Sequence, residues 1–388
     1  MLKRIYVDNY KSLVNFELKF EDINLILGKN GSGKSVVFEV LRNLQDFILG
    51  DFSNESKYYQ VSEIFKQNDR TRWQTTSIQR FELDIEGNEG LYQYSLEIEH
   101  PINKFNFQQS RMRSEKLSFN TQTLFEFWIK EDSDSPNGQA QIYNDNPERQ
   151  GAFLEFFDWS RSGVGFVYER AENQKLIWFK KRIANIFIVY INPFSIESEN
   201  FQEATRPNFD VSNYSAWYSY LSQENQSQII KLTLELQKII EGFESFQNKK
   251  IAEETRSLLV LFSQPQRAIY QMKELSNGIK ILIVLYTLIY CTPDENCTLC
   301  IDEPENFLAL PEIQPWLSEL IDYCADNPKQ TILISHHPSL INYLASSSAY
   351  WFERQDNAGT RIKKIHQEND NNGISLAKLI ELGWIYDE

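Results

Sequence analysis

Apolar and polar residues alternate with different periods along this chain, and the opening shows both. Residues 16–20 alternate with period two, residues 5–7 are apolar or aromatic, and residues 23–27 are apolar except for Asn24 up to a glycine-rich loop. After that loop, apolar residues recur with helical spacing over residues 36–48. Period two is typical of strands, and three-to-four spacing is typical of a helix. The opening therefore predicts strand, turn and strand, then a third strand, a loop and a helix.

The middle of the chain changes character twice. Residues 80–130 alternate with period two and are interrupted at Gly87, Asn88 and Gly90, which predicts an antiparallel β subdomain. Residues 131–165 are rich in Asp, Asn, Ser, Gly and Pro and predict a surface excursion, followed by a buried strand at residues 186–191. Residues 214–262 predict an inserted helical arm, because apolar positions recur three or four apart at Ile229, Leu232, Leu236, Ile239, Ile240 and Phe243.

The last third returns to alternating strands and helices. Strands are expected at residues 299–301 and 331–334, and helices at residues 279–289, 315–323 and 340–344. Residues 263–345 thus predict one α/β lobe, and residues 346–388 a C-terminal strand and helix. The chain shows no internal repeat. The predicted fold class is α/β: one domain over residues 1–388 with a mixed central sheet, an antiparallel β subdomain and an inserted helical arm.

Composition and charge narrow the function classes. The 388 residues are 41% apolar and 24% charged, as expected of a globular protein. The 39 basic and 54 acidic residues give a charge of −15, so charge neither indicates DNA binding nor forbids a local basic face. Short basic clusters at residues 180–182, 249–250 and 363–364 are typical of solvated surface. The apolar run at residues 281–291 is too short to cross a bilayer, and we expect a cytoplasmic protein without membrane contact.

Two of the four cysteines, Cys297 and Cys300, have the C-x-x-C spacing of zinc or redox sites. A structural zinc site usually needs four ligands. Cys300 also falls inside the apolar segment at residues 298–301, which favours a buried strand thiol instead. Unpaired thiols suit a reducing cytosol.

Residues 28–35 carry the strongest chemical signal, since they fit G-x-x-x-x-G-K-[ST] between a predicted strand and a predicted helix. Glycines let consecutive backbone N–H groups turn inward around phosphate oxygens. Lys34 is expected to neutralise the β and γ phosphates, and the Ser35 hydroxyl to ligate magnesium. The cofactors predicted are ATP and Mg²⁺. The expected nucleotide contacts are Gly28, Lys29, Asn30, Gly31, Ser32, Gly33, Lys34, Ser35 and Val36.

A second acidic motif follows the predicted strand at residues 299–301. Asp302 is expected to hold the magnesium shell, and Glu303 to orient or deprotonate the attacking water. Two acids before Pro304 can also simply cap a strand end. The phosphate loop at residues 28–35 favours the functional interpretation.

Two weaker signals surround that acidic motif. Ser276 and Gly278 precede the helix predicted at residues 279–289, where backbone N–H groups and the helix dipole receive an anion. The alternative is an ordinary helix cap. After the strand at residues 331–334, one of two histidines is expected to reach the γ-phosphate edge and take part in hydrolysis. We choose His336, with His337 as the alternative.

These motifs together resemble ABC-type P-loop ATPases of the SMC/RecF-like and OLD-like branch. That resemblance implies that two copies meet head to tail, with Ser276 of one copy facing the ATP held by Lys34 of the other. It also implies a strand-end segment beside the nucleotide, so Asn9 and Lys11 are candidate contacts. The glutamine loop of the family is not fixed here, since Gln93, Gln108 and Gln109 all remain candidates.

The same resemblance suggests functions of different classes. We expect no Toprim domain, since no such segment is found up to Glu388, and residues 302–316 with residues 335–338 look like stand-alone ATPases of bacterial defence operons. We therefore expect a nucleotide-switched sensor or regulatory subunit of an anti-phage defence or DNA-surveillance complex, with a separate effector, a nuclease being suspected. The alternative is a RecF-like DNA-repair ATPase that binds DNA directly. An import ATPase is disfavoured by the sequence at residues 302–307.

Overall fold

A computed structural model describes residues 1–50, 58–101, 109–129, 138–293, 296–325, 329–344, 348–354 and 358–365. They form two compact units. The first contains Met1–Asp22, Leu27–Ile186 and Tyr350–Lys364, and the second contains Ile23–Ile26 and Phe187–Ala349, with Ile365. The chain passes from the second unit into the first within one strand, between Ile26 and Leu27.

The strands are β1 (Leu2–Asp8), β2 (Phe16–Lys19), β3 (Ile23–Gly28), β4 (Ile78–Gly87), β5 (Gly90–Glu99), β6 (Arg111–Phe119), β7 (Gln122–Ile129), β8 (Gly138–Ile142), β9 (Ala152–Phe157), β10 (Ile186–Tyr190), β11 (Glu199–Asn200), β12 (Phe243–Lys250), β13 (Arg256–Phe262), β14 (Ala268–Gln271), β15 (Thr298–Asp302), β16 (Gln330–Ile334), β17 (Ala349–Glu353) and β18 (Arg361–Ile365). The helices are α1 (Lys34–Leu49), α2 (Val61–Ile64), α3 (Gly163–Phe166), α4 (Gln174–Ala184), α5 (Tyr214–Glu224), α6 (Gln226–Ile239), α7 (Asn277–Cys291), α8 (Leu310–Ala325) and α9 (Pro338–Leu344).

The first unit is built on an eight-stranded antiparallel sheet with the order β2-β1-β4-β5-β6-β7-β8-β9. Its strands alternate between buried and more exposed side chains, as in β4, where Phe81, Leu83 and Ile85 are buried. This alternation fits a sheet with one face against the core. The antiparallel pairing predicted for residues 80–130 is confirmed, and the sheet is larger than predicted, because it also includes β1, β2, β8 and β9.

Two of the additional strands lie in the segment predicted as a surface excursion. β8 and β9 extend the antiparallel sheet, and β9 is an exposed edge strand. Residues 130–137 lie outside the described residues. Residues 131–151 have the polar composition of a loop, so the sequence predicted a surface excursion there and not the two strands.

The second unit contains the parallel part of the fold. β15 pairs with β16 in parallel, with Leu299 opposite Thr331, and β16 pairs with β3 in parallel, with Ile332 opposite Asn24. β15 and β16 are buried throughout, as expected for a sheet covered on both faces. Helix α7 is buried along most of its length, because residues 281–291 are apolar on every side.

The helical prediction for residues 214–262 is only partly right. Helices α5 and α6 confirm it up to Ile239, but Phe243 begins strand β12, and β13 follows at Arg256. Gly242 ends the helical region with a φ of +75°, a conformation that favours glycine. Phe243 then pairs with Phe262 across an antiparallel ladder, so the prediction was wrong for residues 243–262. Whether residues 214–262 form one insertion stays a prediction.

Only part of the C-terminal prediction falls on residues that the structure describes. β17 and β18 provide strands after residue 346, whereas the predicted C-terminal helix falls in residues 366–388, outside the described residues. Within the described ranges, none of the helices combines the length and apolarity that a membrane span requires. The four cysteines are buried and form no disulfide, and Cys300 lies inside β15 as predicted.

Candidate functional site

The glycine-rich loop of the first unit connects the end of β3 to α1. Gly28, Gly31 and Gly33 have φ values of +144°, +78° and +99°. A Cβ on Gly28 would lie 2.2 Å from the carbonyl oxygen of Phe352, and one on Gly33 would lie 2.5 Å from Thr360 Oγ1. Both the backbone angles and the lack of space exclude other residues at these two positions. The loop therefore has the tight glycine-dependent path that its sequence predicts.

A threonine from the far end of the chain braces this loop. Thr360 Oγ1 lies 2.8 Å from the carbonyl oxygen of Ser32 and 2.9 Å from Ser12 Oγ. The Thr360 backbone N–H also donates to the Ser12 carbonyl at 2.8 Å. Sequence reasoning missed Ser12 and Thr360, because nothing in the sequence connects positions 348 residues apart.

The predicted phosphate-binding side chains surround the loop. Lys34 is buried, and its Nζ donates to the carbonyl oxygens of Gly28 at 2.8 Å and Lys29 at 3.0 Å. The buried Ser32 Oγ has no hydrogen-bond partner among the described residues. Lys29, Asn30 and Gly31 form the exposed part of the loop. A buried hydroxyl without a partner, beside a lysine and a glycine cradle, fits a bound phosphate group.

Ser35 and Val36 lie in the first turn of α1, and Ser35 is exposed. The N-terminus of this 16-residue helix adds oriented backbone N–H groups and the positive end of the helix dipole. The loop and α1 together thus have the donors that nucleotide phosphates require. The nucleotide contacts of the individual residues stay predictions.

Asn9 has a structural task in the first unit. Its φ is +59°, its Nδ2 donates to the carbonyls of Thr76 and Ile78 at 3.0 and 2.8 Å, and its Oδ1 accepts the Thr71 N–H at 3.1 Å. Gln79 Nε2 donates to the Asn9 carbonyl at 3.0 Å. The side-chain amide of Asn9 therefore fixes the turn after β1, and its predicted nucleotide contact stays a prediction.

Lys11 is also engaged within the first unit. Its Nζ forms an ion pair with Glu39 on α1 and lies 3.8 Å from Asp69 Oδ1. These contacts hold the segment that carries Ser12 against α1. Its predicted nucleotide contact likewise stays a prediction.

The acidic motif of the second unit lies where β15 ends. Asp302 is buried at the last position of the strand, and Glu303 follows with a φ of +50°. The Glu303 backbone N–H donates to the Ile334 carbonyl at 2.8 Å, and Glu303 Oε2 accepts Asn306 Nδ2 at 2.7 Å. A left-handed backbone is uncommon for glutamate and is typical of functional sites. The position of this carboxylate is thus set by the backbone and by Asn306.

The helix-start motif of the second unit is a capped N-terminus. Ser276 is exposed, and its Oγ accepts the Ile279 N–H at 3.4 Å, which places it at the N-cap of α7. A Cβ on Gly278 would lie 3.1 Å from the Phe307 carbonyl oxygen, so the helix start lies directly beside the turn that follows Glu303. A cleft of about 620 Å³ next to Ser276 is also lined by Arg267 and Tyr270.

Exposed aromatic rings flank this helix start. Phe307 has a φ of +68° and is 53% exposed, and its ring centroid lies 5.6 Å from that of Phe194, which is 74% exposed. Large apolar side chains exposed together are typical of interaction surfaces. We call Ser276, Phe194 and Phe307 the signature face.

The histidine turn follows β16 in the same unit. Glu305 Oε1 accepts the Ser335 hydroxyl at 2.6 Å and the His336 backbone N–H at 3.1 Å, and Ser335 Oγ accepts the His337 N–H at 3.0 Å. His336 is exposed and His337 is half-buried. The geometry leaves the choice between the two histidines open. Glu305 and Asn306 were missed by sequence reasoning, although their place beside Asp302 and Glu303 offered a signal.

Each unit therefore brings together part of the predicted set. The first unit contains Asn9, Lys11 and Gly28 through Val36, and the second contains Ser276, Gly278, Asp302, Glu303 and His336. Among the glutamine-loop candidates, Gln93 lies in β5, Gln109 is an exposed coil residue, and Gln108 lies outside the described residues.

Two of the three basic clusters, at residues 180–182 and 363–364, have side-chain contacts, whereas Lys249 and Lys250 are exposed. Lys180 Nζ donates to the carbonyls of Gly165 and Val167 at 2.7 and 3.0 Å, and Arg182 is buried. Lys363 and Lys364 pair with Glu353 and Glu21 at 4.0 and 3.4 Å. Lysines held by carbonyls and carboxylates contribute little to a basic surface for DNA.

Comparison with known proteins identifies the family. Residues 23–342 match the family described as "AAA domain, putative AbiEii toxin, Type IV TA system". No curated protein matches the chain. Similar solved structures include an SMC head bound to the C-terminal winged-helix domain of ScpA, at 10% identity, TM-score 0.49 and coverage of 95% of this chain and 98% of that one. The SMC head domain from Thermotoga maritima is also similar, at 13% identity, TM-score 0.46 and coverage of 94% and 99%.

The match covers most of the chain, so the chain belongs to this family of AAA domains. Both TM-scores are low, and the assignment rests on the family and on the elements described above. The chain is thus a nucleotide-binding P-loop ATPase with an α/β fold, as its motifs predict.

Proposed function

We propose that two copies of this ATPase close around ATP, with each nucleotide held by the phosphate loop of one copy and the signature face of the other. The observation that supports this most is the signature face itself. An exposed helix N-terminus suited to an anion lies beside two exposed aromatic rings, a combination that is expected to be covered by a partner. A two-fold interface would use the same pair of surfaces twice.

Hydrolysis at such a site would divide among named residues. Lys34 would neutralise the β and γ phosphates, Ser35 and Asp302 are the residues proposed to hold Mg²⁺, and Glu303 would orient or deprotonate the attacking water. Mg²⁺ supplies charge neutralisation during phosphoryl transfer. His336 is proposed to reach the γ-phosphate edge of the site and to report hydrolysis.

The interface test uses one face residue and one matched control. In a Glu303→Gln background, which is expected to retain ATP, we expect ATP to shift the protein from monomer to dimer in light scattering after size exclusion. Phe307→Glu should prevent that shift, because it buries a charge in the interface. Phe201→Glu is the control, since Phe201 is 72% exposed but lies outside the signature face. An unchanged dimer in Phe307→Glu would remove the signature face from the interface.

The shared site has its own test. Ser276→Arg adds bulk and a cation at the proposed γ-phosphate contact, so it should abolish turnover while the monomer still binds ATP. Mixing Ser276→Arg with Lys34→Ala should restore part of the activity, because a mixed dimer contains one intact composite site. If mixed dimers form but stay inactive, or if Ser276→Arg alone turns over at the wild-type rate, the sites are not shared.

We further propose that the ATPase is the sensor or regulatory subunit of an anti-phage defence or DNA-surveillance complex with a separate effector, most simply a nuclease. The family description, which names a putative toxin of a type IV toxin–antitoxin system, supports the defence part of this proposal, and the separate effector rests on the resemblance of the motifs. Phage plating efficiency on cells carrying the gene with its neighbours tests it. Protection should depend on Lys34 and Glu303. Equal protection by the Lys34→Ala variant would contradict a nucleotide-switched role.

The RecF-like alternative requires direct DNA binding. The charge of −15 and the ion pairs of Lys363 and Lys364 do not favour it. Fluorescence anisotropy with duplex DNA over a range of salt concentrations tests it. Affinity that falls steeply with salt would support the alternative over the sensor proposal.

A further inference from the structure

One half-buried glutamate, Glu305, connects the two turns that carry the acidic motif and the histidines. Glu305 Oε1 accepts hydrogen bonds from the Ser335 hydroxyl and the His336 backbone N–H, at 2.6 and 3.1 Å. Ser335 is fully buried, and its Oγ in turn accepts the His337 N–H at 3.0 Å. A single carboxylate oxygen therefore holds the first two residues of the turn directly and the third through the serine.

The neighbouring residue serves the other side of the same turn. Asn306 Nδ2 donates to Glu303 Oε2 at 2.7 Å, and the Asn306 N–H donates to the Glu303 carbonyl at 3.2 Å. Consecutive residues 305 and 306 thus contact the histidine turn and the proposed general base, respectively. A displacement of this short turn would move both catalytic elements together.

The bonding of Glu305 is unusual for a purely structural residue. Its Oε2 is buried and has no hydrogen-bond partner among the described residues. A buried carboxylate oxygen without a donor is costly, whereas hydrogen bonds from neutral donors to a carboxylate are stronger than those to a neutral acceptor. A neutral acceptor such as a glutamine carbonyl would fasten Ser335 at a smaller cost. The energetic cost of the carboxylate is consistent with a role in positioning the histidine turn.

We propose that Glu305 is a positioning residue for ATP hydrolysis, which fixes the Ser335–His336 turn relative to Glu303. It touches neither nucleotide nor water in this assignment and acts through His336. The inference rests on the proposed roles of Glu303 and His336 in hydrolysis. The turnover of Glu303→Gln and of His336→Ala tests those two roles separately. A failure of either role can therefore be distinguished from a failure of the Glu305 assignment.

The first measurement is the steady-state ATPase rate of three single variants. Glu305→Ala should lower kcat about tenfold to a hundredfold, the range expected when bonds to a charged group are lost, while KM for ATP changes less than about twofold. Glu305→Gln retains an oxygen acceptor but forms weaker hydrogen bonds than the carboxylate, so it should recover part of that loss. Glu312→Ala is the matched control, since Glu312 Oε2 accepts the Ala309 N–H at 2.7 Å, at the start of α8. It should keep a wild-type kcat.

The second measurement asks whether Glu305 acts through the histidine turn. In a double-mutant cycle, Glu305→Ala with His336→Ala should be no slower than the slower single variant, because both changes remove the same contribution. Glu305→Ala with Glu312→Ala should instead show only the Glu305 loss. If Glu305→Ala does not fold, the same cycle is measured with Glu305→Gln and Ser335→Ala, since Ser335→Ala removes the donor of the same hydrogen bond. The double variant should again be no slower than the slower single variant.

Three results would overturn the assignment. One is a kcat within about twofold of wild type in Glu305→Ala, against the tenfold or larger loss expected. Another is a double variant whose loss equals the product of the two single losses. The third is a wild-type kcat in His336→Ala, which would leave Glu305 without the residue through which it is proposed to act.

Discussion

The phosphate loop of the first unit and the signature face of the second are built in opposite ways. The loop is fixed by buried neighbours: Lys34 bonds to loop carbonyls, and Thr360 contacts both Ser12 and the Ser32 carbonyl. The signature face consists of an exposed helix start and two exposed aromatic rings. The loop is thus preorganised by its own chain, whereas the face exposes apolar area that none of the described residues covers.

This difference predicts which region determines nucleotide binding and which determines turnover. A loop that is braced internally should bind phosphate with little rearrangement, because its backbone is already in the bound shape. A surface that needs a partner contributes only when the partner arrives, and nucleotide stabilises the closed state by its differential affinity for that state. We therefore expect binding to depend on the first region and turnover on the second.

The largest expected effect breaks the first region. Lys34→Ala should abolish hydrolysis and weaken nucleotide binding, because it removes the cation best placed to meet the β and γ phosphates. Titration with a fluorescent ATP analogue and a phosphate-release assay measure the two effects. Lys19→Ala, at an exposed strand position, is the control. Wild-type affinity and turnover in Lys34→Ala would contradict the phosphate-loop assignment.

The next effect separates the two regions. Glu303→Gln should bind ATP normally but hydrolyse it about a hundredfold or more slowly, since the amide keeps the shape and loses the base. Single-turnover assays with labelled ATP measure the chemical step directly. If Glu303→Gln turns over ATP at the wild-type rate, the base lies elsewhere.

The third prediction concerns a buried histidine that is joined through Gln79 to the turn at Asn9. His100 is fully buried, its ring nitrogens lie 2.8 Å from Ser110 Oγ and 2.8 Å from Gln79 Oε1, and Gln79 bonds to the Asn9 carbonyl. Burial, together with the charge of Arg70, lowers the pKa of His100 from 6.5 to about 4. The folded state therefore favours the neutral ring.

The unfolded chain binds the additional proton as the pH falls below 6.5. The stability contributed by neutral His100 is thus present above about pH 6.5 and is lost toward pH 4. Between about pH 6.5 and 4.5 the loss should be about 2 kcal/mol. Urea denaturation across this range should show a smaller pH slope for His100→Gln than for the wild type. Equal slopes would show that His100 does not titrate differently on folding.

The smallest effect sharpens the comparison at the brace. Thr360→Val removes the hydroxyl contacts to Ser32 and Ser12 while it keeps the side-chain volume. The ordered conformation of the loop should therefore be destabilised by about 1 kcal/mol, and nucleotide affinity should fall several-fold. Thr233→Val is the control, because the Thr233 hydroxyl bonds only to the Ile229 carbonyl within α6. Unchanged affinity in Thr360→Val would mean that the loop keeps its shape without the brace.

Sequence reasoning succeeded where a local pattern determines the structure. The glycine loop between a strand and a helix at residues 28–35, and the strand that ends at Asp302, were predicted correctly because short local patterns determine them, whereas the roles of Asp302 and Glu303 stay predictions. The strand–loop–helix at the start followed from periodicity alone. In each case the necessary information lies within a short segment.

It failed where distant residues decide. The helical prediction extended past Ile239 because apolar spacing at Ile240 and Phe243 also fits a strand, and only the partner strand β13 reveals which applies. Thr360 and Glu305 carry no motif of their own. Their tasks exist only once Ser12, Ser32, Ser335 and His336 have been brought beside them.

The brace at Thr360 also has a consequence for protein synthesis. Ribosomes make the chain from its N-terminus, so residues 28–35 leave the exit tunnel long before the threonine that fixes them, which follows Ser32 by 328 positions. A nascent chain therefore has the phosphate-loop sequence without its finished shape. The same holds for a product truncated anywhere before β18. Formation of these loop contacts thus depends on translation through residue 360, and shorter fragments that contain the motif lack the hydrogen bonds of Thr360.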